Sequence, residues 1–372
     1  MPPPPAILQV LPALVAGGVE RGTIEIAEAI AAAGFRALVA SAGGPLVRDL
    51  EAVGARHVTL PLATKSPAGI WRNAAALAAL ARQEGVAILH ARSRAPAWSA
   101  LIAARRAGAH FVTTYHGAYN ENVPGKRLYN AVMARGERVI AISHFIADLI
   151  AERHQTPRER IRMIPRGVDP RRFDPARLDP DRIAAQRAAW GAAPGQPVIL
   201  LPGRLTRWKG QGVLVQALAR LPGVIGVLAG GGDGQAQALR AQADALGLGP
   251  RLVLAGHVEA MDLALAAADV VVHASTEPEA FGRTVIEAQA MARPVIAADL
   301  GGPRETVEEG VTGWRVKPGD PAALAAALAR VLALPEEARA AIGAAAREAV
   351  LRDYTTEAMQ RATIAVYREL LP

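Results

Sequence analysis

Val270-Val-Val-His273-Ala-Ser-Thr-Glu-Pro-Glu279-Ala-Phe-Gly-Arg-Thr-Val-Ile-Glu287-Ala-Gln-Ala-Met291-Ala-Arg-Pro294-Val-Ile-Ala-Ala298 is the stretch that decides the fold. A short apolar run, Val270–His273, leads into a polar loop. A helical pattern through Met291 follows, and then a second apolar run, Pro294–Ala298. Strand, loop, helix and strand in that order argue for a parallel sheet covered by helices. Glu279 falls in the loop, and Gly282, Arg283, Thr284 and Val285 fall near the helix amino terminus. Exposed backbone N–H groups and the helix dipole suit a phosphate there. Glu287, about one turn in, is placed to accept two hydrogen bonds from a ribose diol, and Glu279 to accept hydroxyls from a hexose. Two solvated glutamates on a helix end are the plainer alternative.

Outward from this stretch the same alternation repeats twice. The first half predicts strands at Ile7–Leu11, Arg36–Ala40, His57–Leu60, Ala87–His90, His110–Thr114 and Arg138–Ile142, with amphipathic patterns such as Glu20–Ala33 and Asn73–Glu84 between them. The second half restarts with Val198–Pro202, Gly226–Ala229 and Leu252–Ala255. The join is the segment Asp169–Pro197, rich in proline, aspartate and arginine. We therefore expect two doubly wound α/β domains, 1–180 and 181–353, and a terminal helix over 354–372 that packs back on the first. Such domains put ligands at the carboxyl ends of their strands.

Bulk properties agree. A chain of 372 residues, 51% apolar and 20% charged, fits two cores better than one. With no cysteine, disulfides and thiolate metal sites are excluded. The proline run at residues 1–5 lacks the basic region of a signal peptide, and no window reaches a membrane span. These features predict a cytoplasmic protein. Residues 1–180 hold 23 Lys+Arg against 14 Asp+Glu, or +9, and the remainder 19 against 20, or −1. That asymmetry favours anionic partners at the inner face of the cytoplasmic membrane, although arginine-rich coding from a GC-rich genome gives the same excess. Scarce aromatics, 4%, and the lack of a recognisable module argue against nucleic acid.

A second element lies at Gly203-Arg204-Leu-Thr-Arg207-Trp-Lys209-Gly210, straight after a predicted strand. An arginine and a lysine five apart in a glycine-flanked loop can converge on a diphosphate, one as a fork and one as a point charge. A solvated basic loop is the alternative. In the first half, Gly17-Gly18-Val-Glu20 follows the opening strand and allows close approach of a phosphate or an acceptor. His116 sits just past a strand end. Gly230-Gly231-Gly232-Asp233-Gly234 is a further glycine run after a strand, weak evidence by itself.

Taken together, these motifs resemble glycosyltransferase family 4, the retaining group with the GT-B fold of two Rossmann-like domains facing across a cleft. The resemblance rests on Glu279 and Glu287 with Phe281-Gly282 between them. Pro294–Ala297, Gly301-Gly302-Pro303-Arg304-Glu305 and Gly310-Val-Thr-Gly313 continue the pattern. It covers nearly the whole chain, from about Leu11 to Leu371. It implies a metal-independent hexosyltransferase with no cofactor, which uses a nucleotide-diphosphate sugar as donor and a glycan or lipid-linked acceptor. With the basic first half, it points to lipopolysaccharide or other cell-envelope glycan synthesis. His116, Arg204, Lys209 and Glu279 become the expected catalytic residues. Gly17, Gly18, Gly203, Arg204, Lys209, Glu279, Phe281, Gly282, Arg283, Thr284, Val285 and Glu287 become the expected donor-binding set.

Family members usually carry asparagine at Arg166, methionine at Gln289 and glycine at Ala292. Asp179-Pro-Asp181, the one Asp-x-Asp, reads as a helix N-cap rather than a metal pair. A sugar-nucleotide epimerase of the same fold would isomerise the donor without an acceptor. A nicotinamide-dependent oxidoreductase fits less well, because Gly17-Gly18-x3-Gly22 is not the G-x-G-x-x-G fingerprint.

Overall fold

A computed structural model describes residues 4–15 and 17–371, with only the backbone described at Asp233. The start of the proline run, residues 1–3, lies outside the described residues. The chain divides into two compact units, residues 1–166 with 356–372, and residues 167–355. The division falls some way ahead of the 180/181 position read from the sequence, and the segment after Arg166 belongs with the second unit.

In the first unit, the described strands are β1 Ala6–Val10, β2 Arg36–Ser41, β3 Arg56–Thr59, β4 Val86–Ala91, β5 His110–Tyr115, β6 Arg138–Ala141 and β7 Ile161–Met163. They form one parallel sheet in the order β3-β2-β1-β4-β5-β6-β7. β1 is buried at every position, as expected of a strand covered by helices on both faces. Helices Gly18–Ala32 and Thr356–Arg368 pack together, and Met359, Ile364, Val366 and Tyr367 of the second join the core with Ile26, Ile30 and Leu50.

In the second unit, the described strands are β8 Val198–Pro202, β9 Ile225–Ala229, β10 Leu252–Gly256, β11 Val270–His273, β12 Val295–Ala298 and β13 Trp314–Val316. Their order is β10-β9-β8-β11-β12-β13, again parallel. Its own core gathers Ile199, Leu214, Leu228, Val272, Ile296 and Leu328. In each sheet the order reverses once, between β1 and β4 and between β8 and β11. Loops leaving the two strands at such a point diverge to opposite sides, which opens a crevice at their carboxyl ends.

Side-chain caps fix several helix starts. Asp179 accepts from the backbone N–H of Asp181 at 2.9 Å and heads helix Pro180–Ala189, and Asp320 caps helix Pro321–Leu332 in the same way. No helix among the described residues is long and apolar enough to cross a membrane. β7 and β13 have no counterpart in the sequence reading. Each is three residues long, with an arginine at its centre and at the edge of its sheet, so periodicity has too little to act on.

Candidate active site

In the second unit, Arg204 and Lys209 sit in the loop leaving β8, and Glu279 in the loop leaving β11. They therefore flank the switch point. Glycines let these loops close on one another. A Cβ at Gly210, where φ is +75°, would lie 1.9 Å from the Ala274 carbonyl oxygen. Gly230 packs against the Gly203 carbonyl, where a Cβ would lie 2.0 Å away, and Leu205 N–H donates to the Gly231 carbonyl at 2.9 Å. The glycine run after β9 thus holds the basic loop in place. The side chain of Asp233, at the end of that run, lies outside what is described.

Glu279 is deeply set. Lys209 Nζ donates to its Oε1 at 2.5 Å, His273 Nε2 lies 2.8 Å from the same oxygen, and Ser275 Oγ donates to it as well. Burial opposes ionisation of this carboxyl most strongly, but His273 and Lys209 together outweigh it and hold it well below the ordinary carboxylate range. Oε1 is saturated by protein donors, so any hydroxyl bound here is left Oε2. Lys209 lies 4.7 Å from the centroid of the Trp208 ring, and Trp208 in turn receives the Thr276 N–H at 2.7 Å. Arg204 is exposed and makes no side-chain hydrogen bond or ion pair among the described residues.

Gly282 caps helix Arg283–Ala290 with φ of +83°. Glu287 is one turn in and lies 3.5 Å from Arg283 Nε. Phe281 is buried against Tyr354, and Val285 is fully buried with its N–H already given to the Gly282 carbonyl. Phe281 and Val285 therefore contribute packing, while Gly282, Arg283 and Thr284 line the helix start. Gly301-Gly302 acts on the same loop. A Cβ at Gly301 would lie 2.5 Å from the Glu279 carbonyl oxygen, and Gly302 N–H donates to that oxygen at 2.8 Å.

In the first unit, Gly17 and Gly18 open the helix after β1, and His116 follows β5. His116 Nε2 is buried with no hydrogen-bond partner. Burial, and then the nearby Arg92, Arg166 and His90, push its imidazole well below the usual histidine range, so it is neutral at physiological pH. Arg166 is buried, donates to the Gly18 carbonyl at 2.7 Å and lies 3.8 Å from Glu25.

Sequence reasoning assigned no role to His273, Ser275 and Arg92. His273 carried a signal, a polar residue closing an apolar strand six positions before Glu279.

Two sheets of this order, each with its polar groups at the carboxyl ends beside a switch point, define the GT-B class of paired Rossmann-like α/β units. Comparison narrows this to a family. Residues 182–349 match the model of the glycosyl transferases group 1, and residues 16–172 match that of glycosyltransferase family 4. A glycosyltransferase structure from Rickettsia africae is 36% identical, covers 99% of both chains and superposes with a TM-score of 0.92. HepE of Anabaena in complex with UDP-glucose is 26% identical, covers 98% of this chain and 99% of that one, and gives a TM-score of 0.86. A D-inositol 3-phosphate glycosyltransferase of Nocardia farcinica is 35% identical over 54% of this chain and 46% of its own length. The chain spans about half the length of the curated relatives it matches. It belongs to the group 1 glycosyl transferases, glycosyltransferase family 4.

Proposed function

We propose that this protein moves a glycosyl residue from a nucleotide-diphosphate sugar, first of all a uridine diphosphate sugar, to an acceptor with retention at the anomeric carbon. The observation that carries the reading is Lys209 set against Glu279 at the switch point of the second sheet, with Arg204 unpaired in the same loop. HepE, similar along almost its whole length, was solved with UDP and with UDP-glucose.

In this reading Arg204 and Lys209 receive the diphosphate, and Glu287 the ribose. Glu279 holds sugar hydroxyls through Oε2. The C1–oxygen bond of the donor breaks with its electron pair going to the diphosphate, where the two cations stabilise the developing charge. The acceptor oxygen bonds to C1 on the same face, and its proton passes to a diphosphate oxygen. Neither carboxylate attacks C1, since both are held by cations or hydroxyls. The cations meet the leaving charge, so we expect transfer without a divalent metal, and full activity in EDTA is the check.

The acceptor belongs to the first unit. An open pocket there, about 660 Å³, is lined by Lys65, Ser93, Arg94, Asn120, Lys126 and Tyr129. Neither Lys65 nor Lys126 has an acidic partner among the described residues. By the two-unit division, the first unit holds 22 Lys+Arg against 13 Asp+Glu and the second 20 against 21. A relative named for inositol 3-phosphate agrees with a phosphorylated acceptor. We place the activity in cell-envelope glycan assembly, lipopolysaccharide included, at the inner membrane face. His116, neutral and unpartnered, orients a hydroxyl.

The deciding experiment offers UDP, GDP and ADP sugars with phosphorylated and unphosphorylated acceptors, and reads product configuration by NMR. Transfer from a UDP sugar with the anomer retained is expected. Inversion, or donor isomerisation with no acceptor present, would sink the reading.

A further inference from the structure

Three donors of the second unit converge on one oxygen. Glu279 Oε1 takes Lys209 Nζ at 2.5 Å, His273 Nε2 at 2.8 Å and Ser275 Oγ. A carboxylate oxygen offers about two lone-pair sites, so one of the three donors is in surplus. They differ in freedom. His273 closes β11, where it pairs with Ala297 of β12, and it is buried. Ser275, just beyond it, is buried too. Lys209 instead reaches Oε1 on a flexible stem that runs beside Gly203, where a Cβ would lie 3.7 Å from the lysine Cδ. Lys209 is the donor that can leave.

The His273 ring has little else to do. Its Nε2 faces the carboxylate, with Ser275 Oγ at 3.4 Å, so this nitrogen carries the proton. Its Nδ1 is buried with no hydrogen-bond partner. An unsatisfied ring nitrogen in the interior costs stability, and an apolar side chain would close the end of β11 without that cost. The ring also packs against the start of helix Arg283–Ala290, since a Cβ at Gly282 would lie 3.6 Å from Nε2. Every hydrogen bond it makes among the described residues goes to Glu279 or Ser275.

We propose that His273 is a positioning residue for the donor sugar: it fixes Glu279 Oε1 from the strand end, so that Oε2 stays aimed at sugar hydroxyls while Lys209 turns to the diphosphate. The inference rests on the donor reading above and adds the group that separates the two tasks of the loop pair. One lysine cannot hold the carboxylate and the leaving group at once. With His273 and Ser275 filling Oε1, the carboxylate keeps its place when the ammonium moves.

The test uses the full chain carrying His273→Leu, His273→Gln or Lys209→Gln. Crystal structures of the variants read the place of the Glu279 carboxylate directly. It is expected to stay in Lys209→Gln and to turn away by about 1 Å or more in His273→Leu. Calorimetry then compares UDP-glucose with UDP, which lacks the sugar. His273→Leu should leave UDP affinity within about threefold of the wild type and weaken UDP-glucose roughly tenfold or more. His273→Gln, whose amide can place an N–H near the Nε2 position, should recover most of that loss. A purely structural role would weaken both ligands alike. Should His273→Leu not fold, His273→Asn, too short to reach Oε1, is expected to show the same loss. A carboxylate that stays in the His273 variant or moves in Lys209→Gln, or equal losses for UDP and UDP-glucose, overturns the proposal. Failure of the wild-type chain to bind either ligand counts against the donor reading instead, and the variant structures still decide the role of His273.

Discussion

At the scale of single residues, Glu279 has the strongest environment in the second unit. Its carboxyl is held below the ordinary value of 4.5, so the stability it contributes is fully present above that value and is lost as pH falls through its folded value. Glu279→Gln is therefore expected to cost about 1–3 kcal/mol at neutral pH. Denaturant titrations across pH should show that gap constant above about pH 5.5 and shrinking below pH 4.5. Arg204→Gln and Lys209→Gln are expected to lower kcat about 10²–10³-fold, the cost of losing a preorganised charge at the leaving group. Stability should be read beside kcat. Ala292 is a different case. It adopts φ of +53°, a left-handed conformation that its Cβ resists. Ala292→Gly should raise stability by about 0.5–1 kcal/mol, and a denaturant midpoint unchanged or lower would contradict the strain. Gln289 has an architectural role, because it donates to the Thr306 carbonyl at 2.8 Å and the Thr312 carbonyl at 3.2 Å.

Among the elements, the loop carrying Glu279 and the terminal helix matter most. Gly301, at φ of +66°, presses its Cα face against the Glu279 backbone. Gly301→Ala should shift that loop and weaken UDP binding at least about tenfold by calorimetry, a larger effect than on folding. Helix Thr356–Arg368 closes the first unit's core and carries the hydroxyl that pairs with His90. Tyr367→Phe strands a buried imidazole nitrogen and should cost about 1–3 kcal/mol in thermal or denaturant unfolding. The existence of both elements was legible in the sequence. Gly282 was placed correctly at a helix start and Glu287 about one turn in, because glycine and the strand-to-helix change of period mark that junction. The partners of Glu279 were not legible. His273 and Ser275 lie on the same strand end, but only the fold of the loop turns the carboxylate back onto them.

For the molecule as a whole, charge is the main asymmetry, with the excess carried by the first unit. If that excess serves an anionic surface, flotation with phosphatidylglycerol vesicles should recover more protein than flotation with neutral vesicles. The difference should disappear in about 0.5 M salt, where screening is short-ranged. Equal recovery in both would assign the arginines to composition alone. The donor is also a whole-molecule question, because binding raises stability in proportion to occupancy. UDP is expected to raise the melting temperature more than GDP or ADP at equal concentration.

The alternation of apolar runs with helical patterns determined by itself that this chain builds parallel sheets, because only strands covered on both faces read as continuous apolar segments. Glycine-bracketed polar motifs after those strands determined the family. Tertiary structure decided which charges meet. Lys209 and Glu279 are 70 positions apart, and Arg92 and His116 follow different strands, so which groups they meet depends on strand order and loop closure. A linear pattern carries periodicity and spacing, but burial and charge compensation are properties of neighbours in space.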